Sequence, residues 1–211
     1  MVRQSKRSLS TSADSYARDA ENRYPCQNRY FPFNTKAFIK SMASIKLIEA
    51  QADDLHKIVD IVNQAYRGAG WTSEAELISG PRVDLQTLKE IAGGDTFIFA
   101  AKDNDAALLG CVSLSPAESG QWYLSMLAVN PAVQTAGTGK AIMAAAENYA
   151  RDNGATAVKI SVIQQRDSLI AWYERRGYRK TGAVEPFPYD DPSVGTPLRD
   201  DLALVTLTKP L

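Results

Sequence analysis

The segment MLAVNPAVQTAGTGKAIM, from Met126 to Met143, joins a strand-like run to a helix through a loop that contains two glycines. Its first part ends an apolar run of strand type, which Asn130 and Pro131 then break. Its last part begins the helical pattern KAIMAAAENYARDNG, which Gly154 ends. Such a loop presents main-chain N–H groups at the positive end of a helix dipole, so the segment predicts a turn that binds an anion.

Two well-known nucleotide-binding motifs do not fit this loop. The P-loop pattern requires a glycine where Gln134 stands and a hydroxyl residue where Ala141 stands. The dinucleotide fingerprint requires a third glycine where Ile142 stands. Gly137 and Gly139 nevertheless lack the Cβ atoms that would keep a phosphate at a distance. At this point two interpretations stay open, a phosphate-binding turn and a tight turn of purely structural importance.

The pattern outside the loop predicts the fold class. A strand-like run, IKLIEA, precedes a helix over Asp53–Arg67, and a second helix begins after the cap residue Asp84. Three strands joined by short turns follow, and the last of them, WYLSMLAV, is apolar enough to predict burial on both faces. After the glycine loop come a helix, the strand TAVKISVI, a helix capped by Asp167 or Ser168, and two strands. We therefore expect a mixed α/β fold with a sheet of about seven strands flanked by helices.

Composition and charge divide the chain into two parts. Residues 1–44 hold 8 of the 24 Lys and Arg residues and 3 of the 24 Asp and Glu residues, which leaves 16 basic and 21 acidic residues in the remainder. The first part has no periodic pattern, so we expect 1–44 to be a basic, disordered N-terminal extension and 45–211 to be the folded domain. The zero net charge argues against a nucleic-acid partner, and no apolar run reaches the ~20 residues of a membrane span.

Cysteine and histidine are too sparse for several kinds of chemistry. Cys26 and Cys111 are far apart and form no disulfide framework, which favours a reducing, cytoplasmic location. The first thirteen residues are basic and free of acids, so import into an organelle stays open. His56 is the only histidine and lies in a helical pattern, so we expect a solvated residue, no catalytic triad and no metal site.

Read as Gln134-x-x-Gly137-x-Gly139, the loop resembles the coenzyme A pyrophosphate-binding motif of the GNAT superfamily of N-acetyltransferases. The preceding MLAVNP and the later WYERRGYRKTG also resemble that superfamily, the second as a helix that carries a tyrosine and ends at a Gly-aromatic pair. The stretches GWTSEAELISG and PFPY…RDDL are similar to those of uncharacterised microbial acetyltransferases. The resemblance covers nearly all of 45–211, none of the extension, and implies the GNAT acyl-CoA N-acyltransferase fold.

The resemblance implies an acetyl-CoA-dependent N-acetyltransferase without a metal. An acetyl group would pass from acetyl-CoA, the acyl donor co-substrate, to a primary amine by direct attack through a tetrahedral intermediate. A distorted strand near Met126 and Leu127 would bind the thioester oxygen. The cofactor-binding residues would be Leu127, Ala128, Val129, Gln134, Thr135, Ala136, Gly137, Thr138, Gly139, Lys140 and Arg166.

Two residues are candidates for the catalytic proton transfers. Tyr173 matches the general acid of the family, since a phenol stays protonated at neutral pH; the alternative is core packing beside Trp172 and Tyr178. Glu74 is the candidate base; the alternative is that Thr72 or Ser73 caps a short helix there.

Two further residues are assigned to binding. Trp71 would line the acceptor pocket. Arg166 stands where many relatives have an asparagine, seven residues before the tyrosine, and either reaches the cofactor phosphates or lies on the surface.

The acceptor is described less sharply by the sequence. Glu185, Asp190, Asp191, Asp200 and Asp201 would attract a cationic amine if they lined the cleft; otherwise they are solvated loop residues. We expect a small-molecule amine acceptor, and a homodimer is compatible with the pattern. The alternatives are a protein or peptide N-acetyltransferase, with 1–44 docking the partner, and a non-catalytic acetyl-CoA-binding sensor.

Overall fold

The computed structural model of the chain describes residues 45–68, 72–133 and 137–211, and these residues belong to one compact unit. The extension predicted over 1–44, which includes Cys26, lies outside the described residues. The helices are α1 (Ala52–Arg67), α2 (Leu85–Ala92), α3 (Thr138–Asp152) and α4 (Asp167–Glu174). The strands are β1 (Lys46–Glu49), β2 (Ile78–Ser79), β3 (Phe97–Lys102), β4 (Leu108–Pro116), β5 (Gln121–Val129), β6 (Ala157–Ile163), β7 (Arg179–Pro186), β8 (Thr196–Pro197) and β9 (Ala203–Pro210).

Seven of these strands form one sheet in the order β1-β3-β4-β5-β6-β9-β7. β5 and β6 pair in parallel, and the other neighbours in this sheet pair antiparallel. The mixed α/β class and the seven-stranded sheet predicted from the sequence are confirmed. The sequence reading missed a two-stranded ribbon of β2 and β8, because two-residue strands leave no periodic pattern.

Hydrogen bonds of acidic side chains fix the starts of the first two helices. Asp54 accepts a hydrogen bond from the Gln51 N–H at 3.2 Å, which closes a capping box, so α1 begins one residue before the predicted Asp53. Asp84 accepts from the Thr87 N–H at 2.7 Å and caps α2 as predicted.

The predicted cap of α4 is wrong. Its N-cap residue is Arg166, Asp167 is already inside the helix, and no side chain makes a cap hydrogen bond there. Arg166 stands at the N-cap position although its side chain does not cap the helix, because that side chain binds Glu74 instead.

The core lies on both faces of the sheet. One cluster packs α3 and α4 against the sheet and includes Leu124 and Ile142, whereas the other packs α1 and α2 and includes Ile58 and Met126. The predicted burial of both faces of β5 is confirmed in part: Leu124 is buried in the first cluster and Met126 in the second, but partly exposed residues alternate with the buried ones along the strand. His56 is exposed on α1, as expected. Among the described residues no helix is long and apolar enough to cross a membrane.

Gly110 permits the close approach of β4 to β5 and to α3. A Cβ atom at this position would lie 2.3 Å from the Ala128 carbonyl oxygen and 2.8 Å from the Ile142 Cδ1 atom. The first of these is a backbone atom, so the strand itself would have to move.

We predict that Gly110→Ala lowers the free energy of unfolding by at least about 2 kcal/mol, because the added methyl displaces the β5 backbone. Urea denaturation measures this change. Gly94→Ala is the matched control: among the described residues the added Cβ atom would approach the Ile91 carbonyl oxygen at 3.7 Å, an ordinary contact. Equal stability of the two variants would contradict the account of Gly110.

Candidate active site

β5 and β6 separate halfway along their length and open a cleft in the sheet. They pair only over Gln121–Tyr123 and Ala157–Lys159. Beyond that point β5 continues on β4 and β6 continues on β9. The second half of β5 therefore has one paired edge and one edge that faces the cleft.

A β-bulge lies in β5 where the strands separate. Met126 has a φ of 46°, and the register between β4 and β5 shifts between Cys111 and Ser113. The Cys111 thiol donates to the Met126 carbonyl at 3.7 Å, and burial raises the pKa of this thiol to about 12, so it stays a donor. The distortion predicted near Met126 and Leu127 is confirmed.

The bulge also changes which face of the sheet each side chain reaches. Leu124 packs with the α3 cluster, but Met126 and Ala128 pack with the α1 cluster. One extra residue in a strand of period two inverts the alternation from that point on. Leu127 and Val129 are consequently turned to the α3 side, where the cleft opens.

A first cavity of about 610 Å³ lies between the end of β5 and helices α3 and α4. From the predicted cofactor-binding set, the lining includes Leu127, Ala128, Val129, Gly137, Gly139, Lys140 and Arg166. Thr138 is buried and is not among the lining residues. Gln134, Thr135 and Ala136 lie outside the described residues.

The first turn of α3 approaches the strand closely. Gly137 has a φ of 111°, which favours glycine, and its carbonyl accepts from the Ala141 N–H at 2.9 Å to start the helix. A Cβ atom on Gly139 would lie 3.4 Å from the Val129 Cγ2 atom. The two glycines therefore allow a turn whose N–H groups border the first cavity.

A second cavity of about 230 Å³ lies on the other side of the bulge. β5, β6, the start of the β2–α2 connection and the segment around Phe187 contribute to its walls. The two cavities share five lining residues: Tyr66, Leu127, Arg166, Leu169 and Tyr173. Trp71, predicted for the acceptor pocket, lies outside the described residues.

Tyr173 occupies the junction of the cavities. Its ring makes edge contacts with Trp172 and Tyr178, with centroids 5.0 and 5.5 Å apart, so it does pack in the core. Burial raises the pKa of Tyr173 to about 12, although the positive charge of Arg166 opposes the shift. The phenol is therefore protonated throughout the neutral range.

Glu74 joins two arginines beneath the junction. One carboxylate oxygen binds Arg67 and the other binds Arg166, and all three side chains are largely buried. Arg166 also donates to the Thr72 hydroxyl at 2.9 Å, so its alternative placement on the open surface is wrong. The Thr72 hydroxyl accepts from the Glu74 N–H at 3.2 Å, which confirms the capping alternative for this segment.

The comparisons with known proteins agree with this architecture. The profile of the acetyltransferase (GNAT) family matches residues 55–178, more than half of the chain. The chain belongs to the GNAT acetyltransferase family. This membership makes it an acyltransferase of the N-acetyltransferase class. A search among curated proteins gives no match.

Solved structures of low sequence identity share the fold of this acetyltransferase. Ribosomal-protein-alanine N-acetyltransferase from Brucella melitensis is 19% identical with a TM-score of 0.57, over 79% of this chain and 99% of the other. A spermidine N-acetyltransferase chimera from Vibrio cholerae and hSSAT is 13% identical, with a TM-score of 0.58, over 79% and 94%. A candidate phosphinothricin N-acetyltransferase is 17% identical with a TM-score of 0.59, over 80% and 99%. Their names specify three different acceptors, so the shared fold leaves the acceptor of this chain open.

Sequence reasoning missed three residues of the candidate site. Tyr66 lines both cavities, Arg82 lines the second, and Arg176 lines the first with its guanidinium 3.5 Å from the centroid of the Trp172 ring. Tyr66 and Arg82 lie on α1 and on a connection, where ordinary surface positions have the same residue types. The pairing of Arg166 with Glu74 spans 92 residues and leaves no local signal.

The acidic residues near the C-terminus line neither cavity in the described part of the chain. All five are exposed. Asp201 pairs with Arg199, and Asp191 caps a turn through the Ser193 N–H at 2.9 Å. Their interpretation as solvated loop residues is the one that the structure favours.

We predict that Glu74→Gln lowers the free energy of unfolding by about 3–5 kcal/mol, because two buried guanidinium groups lose their shared anion. Chemical denaturation tests this expectation. Glu76→Gln, an exposed position in the same turn, is the matched control and should change stability by less than about 0.5 kcal/mol. A stable Glu74→Gln enzyme whose activity has lost its pH dependence would instead support the base role.

Proposed function

We propose that the chain transfers an acetyl group from acetyl-CoA to the primary amine of a small molecule by direct attack through a tetrahedral intermediate. The observation that supports this most is the meeting of two cavities at the β5 bulge, with Tyr173 lining both. A direct transfer requires two substrates that reach one point from two sides. In this proposal the first cavity binds acetyl-CoA and the second binds the amine.

The open edge of β5 fits the peptide-like arm of coenzyme A. The Asn130 N–H donates to the Leu109 carbonyl at 2.8 Å, so alternate residues from Asn130 backward face β4. The main-chain N–H and C=O groups of Leu127 and Val129 therefore point away from β4, to the cleft. On that side the Leu127 carbonyl accepts from the Tyr66 hydroxyl at 3.4 Å. The arm would add to this edge as an extra strand.

The first turn of α3 fits the diphosphate. The N–H groups of Gly139 and Lys140 lie in that turn, where the helix offers no acceptor and its dipole is positive. Gln134, Thr135 and Ala136 belong to the same proposed set. The charges of Lys140 and Arg176, which both line the cavity, would add to the attraction for phosphate.

The bulge would supply the oxyanion site. A left-handed φ at Met126 turns the following N–H away from its regular ladder position. The N–H of Leu127 would then donate to the thioester oxygen as that oxygen becomes negative. In other acyl transfers one such donor contributes roughly 3 kcal/mol to the barrier reduction.

Tyr173 would act on the leaving sulfur. The amine nitrogen forms a bond to the carbonyl carbon, the carbon–sulfur bond breaks with its electron pair on sulfur, and sulfur gains a proton. A phenol of pKa about 12 is a weaker acid than a thiol near 8.5, so full transfer to a free thiolate is uphill by about 5 kcal/mol. We therefore assign to Tyr173 a proton donation coupled to bond cleavage, with the proton of the attacking nitrogen returning to the phenolate through water.

The base role of Glu74 stays a prediction. Both of its carboxylate oxygens are engaged by arginines, which favours a positioning role in which Glu74 holds Arg166 between the cavities. For Arg166 itself, contact with the bound cofactor is part of the proposal, since it lines both cavities.

The size of the second cavity favours a small acceptor over a protein. Its 230 Å³ lies below the roughly 300–1,000 Å³ of sites for drug-sized ligands. A protein or peptide acceptor is the second candidate, since the side chain of a lysine or an N-terminal residue would also enter such a space. A sensor that binds acetyl-CoA without turnover would have no use for Tyr173.

We predict that Tyr173→Phe reduces kcat by about 100-fold or more and leaves the Kd for acetyl-CoA unchanged, because only the proton donor is lost. Thiol release in steady state and calorimetric titration with acetyl-CoA measure the two quantities. Tyr149→Phe is the matched control: Tyr149 lies in the last turn of α3, contacts Phe99 and lines neither cavity among the described residues.

The pH profile gives a second readout for Tyr173. A group with a pKa near 12 loses its proton, and with it the donor function, only at strongly alkaline pH. The wild-type profile should therefore rise with deprotonation of the amine and show no descending limb up to pH of about 10. A descending limb below pH of about 9 that disappears in Tyr173→Phe would contradict the raised pKa of Tyr173. Unchanged turnover of the variant would contradict its role as proton donor.

A further inference from the structure

The charged side chains of the second cavity do not balance. Within the described part of the chain, the charged side chains that line it are Glu74, Arg82 and Arg166. Glu74 is already shared between Arg166 and Arg67, which lies behind the wall. Among the described residues, Arg82 therefore adds a positive charge that Glu74 does not balance, although residues 45–211 as a whole are acidic.

Within the described ranges the side chain of Arg82 makes neither an ion pair nor a hydrogen bond, so nothing described there occupies its guanidinium. It lies over the ring of Tyr66, with its Cζ atom 5.7 Å from the ring centroid. Tyr66 lines both cavities and its hydroxyl donates to Leu127, so Arg82 is adjacent to the junction where transfer is proposed.

The backbone of Arg82 is held in place by α1. The Asn63 side-chain oxygen accepts from the N–H groups of Arg82 and Val83, at 2.6 and 3.2 Å, and its side-chain nitrogen donates to the Val83 carbonyl at 2.8 Å. Such a clamp fixes the origin of a long side chain and reduces the entropy lost when its guanidinium binds an anion.

Asp191, an acid whose pKa Arg82 affects, does not neutralise this guanidinium. The pKa of Asp191 is lowered first by its hydrogen bonds with Ser193 and only last by the charge of Arg82. Asp191 is exposed, so water and salt screen its charge. It also makes no ion pair with Arg82 within the described residues.

From this geometry we infer that the acceptor carries an oxyanion in addition to its primary amine, and that Arg82 binds this oxyanion in the second cavity. The inference rests on the proposed function and specifies the substrate class of the same site. A carboxylate or a phosphorus oxyanion matches the planar fork of a guanidinium. A polyamine has no such group and would bring more positive charge beside Arg82.

The remaining walls determine the body of the acceptor. Ile78, Ile160, Val162, Phe187 and Leu204 contribute apolar surface. Together with the volume of 230 Å³, they favour a small molecule with an apolar body, an amine and an oxyanion, as in an amino acid with an aliphatic side chain.

The test compares four acceptors at saturating acetyl-CoA: L-leucine, L-leucinamide, 3-methylbutylamine and spermidine. Wild type should have the highest kcat/KM with L-leucine. Arg82→Gln should lower kcat/KM for L-leucine by about 10- to 100-fold and leave that for L-leucinamide unchanged. The amino groups of L-leucine and L-leucinamide differ in basicity, but this difference is the same for wild type and for Arg82→Gln. The change in the ratio of kcat/KM for L-leucine to kcat/KM for L-leucinamide therefore isolates the contribution of Arg82.

Two further variants complete the experiment. Arg82→Lys retains the charge without the fork and should recover only part of the ratio. Arg151→Gln, which removes an exposed arginine of α3 outside both cavities, should leave the ratio unchanged. The thermal unfolding midpoint of each variant shows that a change in ratio is not a loss of folded protein.

The remaining outcomes separate the inference from the proposed function. Preference for L-leucinamide would indicate a peptide N-terminus and overturn the inference, and preference for spermidine would overturn it in favour of a cationic acceptor. A uniform loss in Arg82→Gln with all acceptors would also overturn it, while the transferase proposal stands. If no acceptor is acetylated although acetyl-CoA binds, both proposals fail.

Discussion

The site depends on a single irregularity, the extra residue that β5 accommodates at Met126. Without it, the strand would keep its alternation and its ladder to the end, and Leu127 and Val129 would project into the α1 core. The bulge turns them to the cleft and releases the strand edge from regular pairing. The cost of a left-handed φ at a methionine is of order 1–3 kcal/mol, which the surrounding packing and the Cys111 thiol have to offset. Gly110 contributes to the same arrangement, since only a glycine lets β4 lie this close to Ala128.

The separation of β5 from β6 makes room for two cavities. If the two strands paired along their whole length, the sheet would be continuous and would have neither a free strand edge nor a cleft at this place. Beyond this point β6 pairs with β9 and not with β5, so a gap opens in the sheet. One cavity borders this gap on the α3 side, and the other borders it on the side of Phe187. Glu74, Arg67 and Arg166 form a charged group beside both cavities. The carboxylate of Glu74 is tolerated in this buried position because two guanidinium groups share it.

Much of the fold could be predicted from the sequence because local rules and tertiary packing agree there. Asp84 caps a helix, the three short-turn strands form a meander, and the glycine loop opens α3. The family resemblance added the distorted strand at Met126, which propensity alone would not place. The burial predicted for both faces of β5 holds only in part, because Leu127 and Val129 border a cavity, and an apolar surface beside a cavity has the same composition as one beside a helix. The cap predicted for α4 failed because Arg166 is drawn to Glu74, a partner 92 residues away. Tyr66 and Arg82 acquire their importance only through such long-range neighbours, so no local pattern distinguishes them.

The central claim is that the free edge of β5 binds the arm of coenzyme A. Amide hydrogen exchange of Val129, followed by NMR with and without coenzyme A, tests it most directly. The account predicts that exchange at this amide slows when coenzyme A binds, and that amides in β7, the last strand in the sheet order, are unaffected. Binding of coenzyme A with unchanged exchange at Val129, and with protection elsewhere, would contradict it.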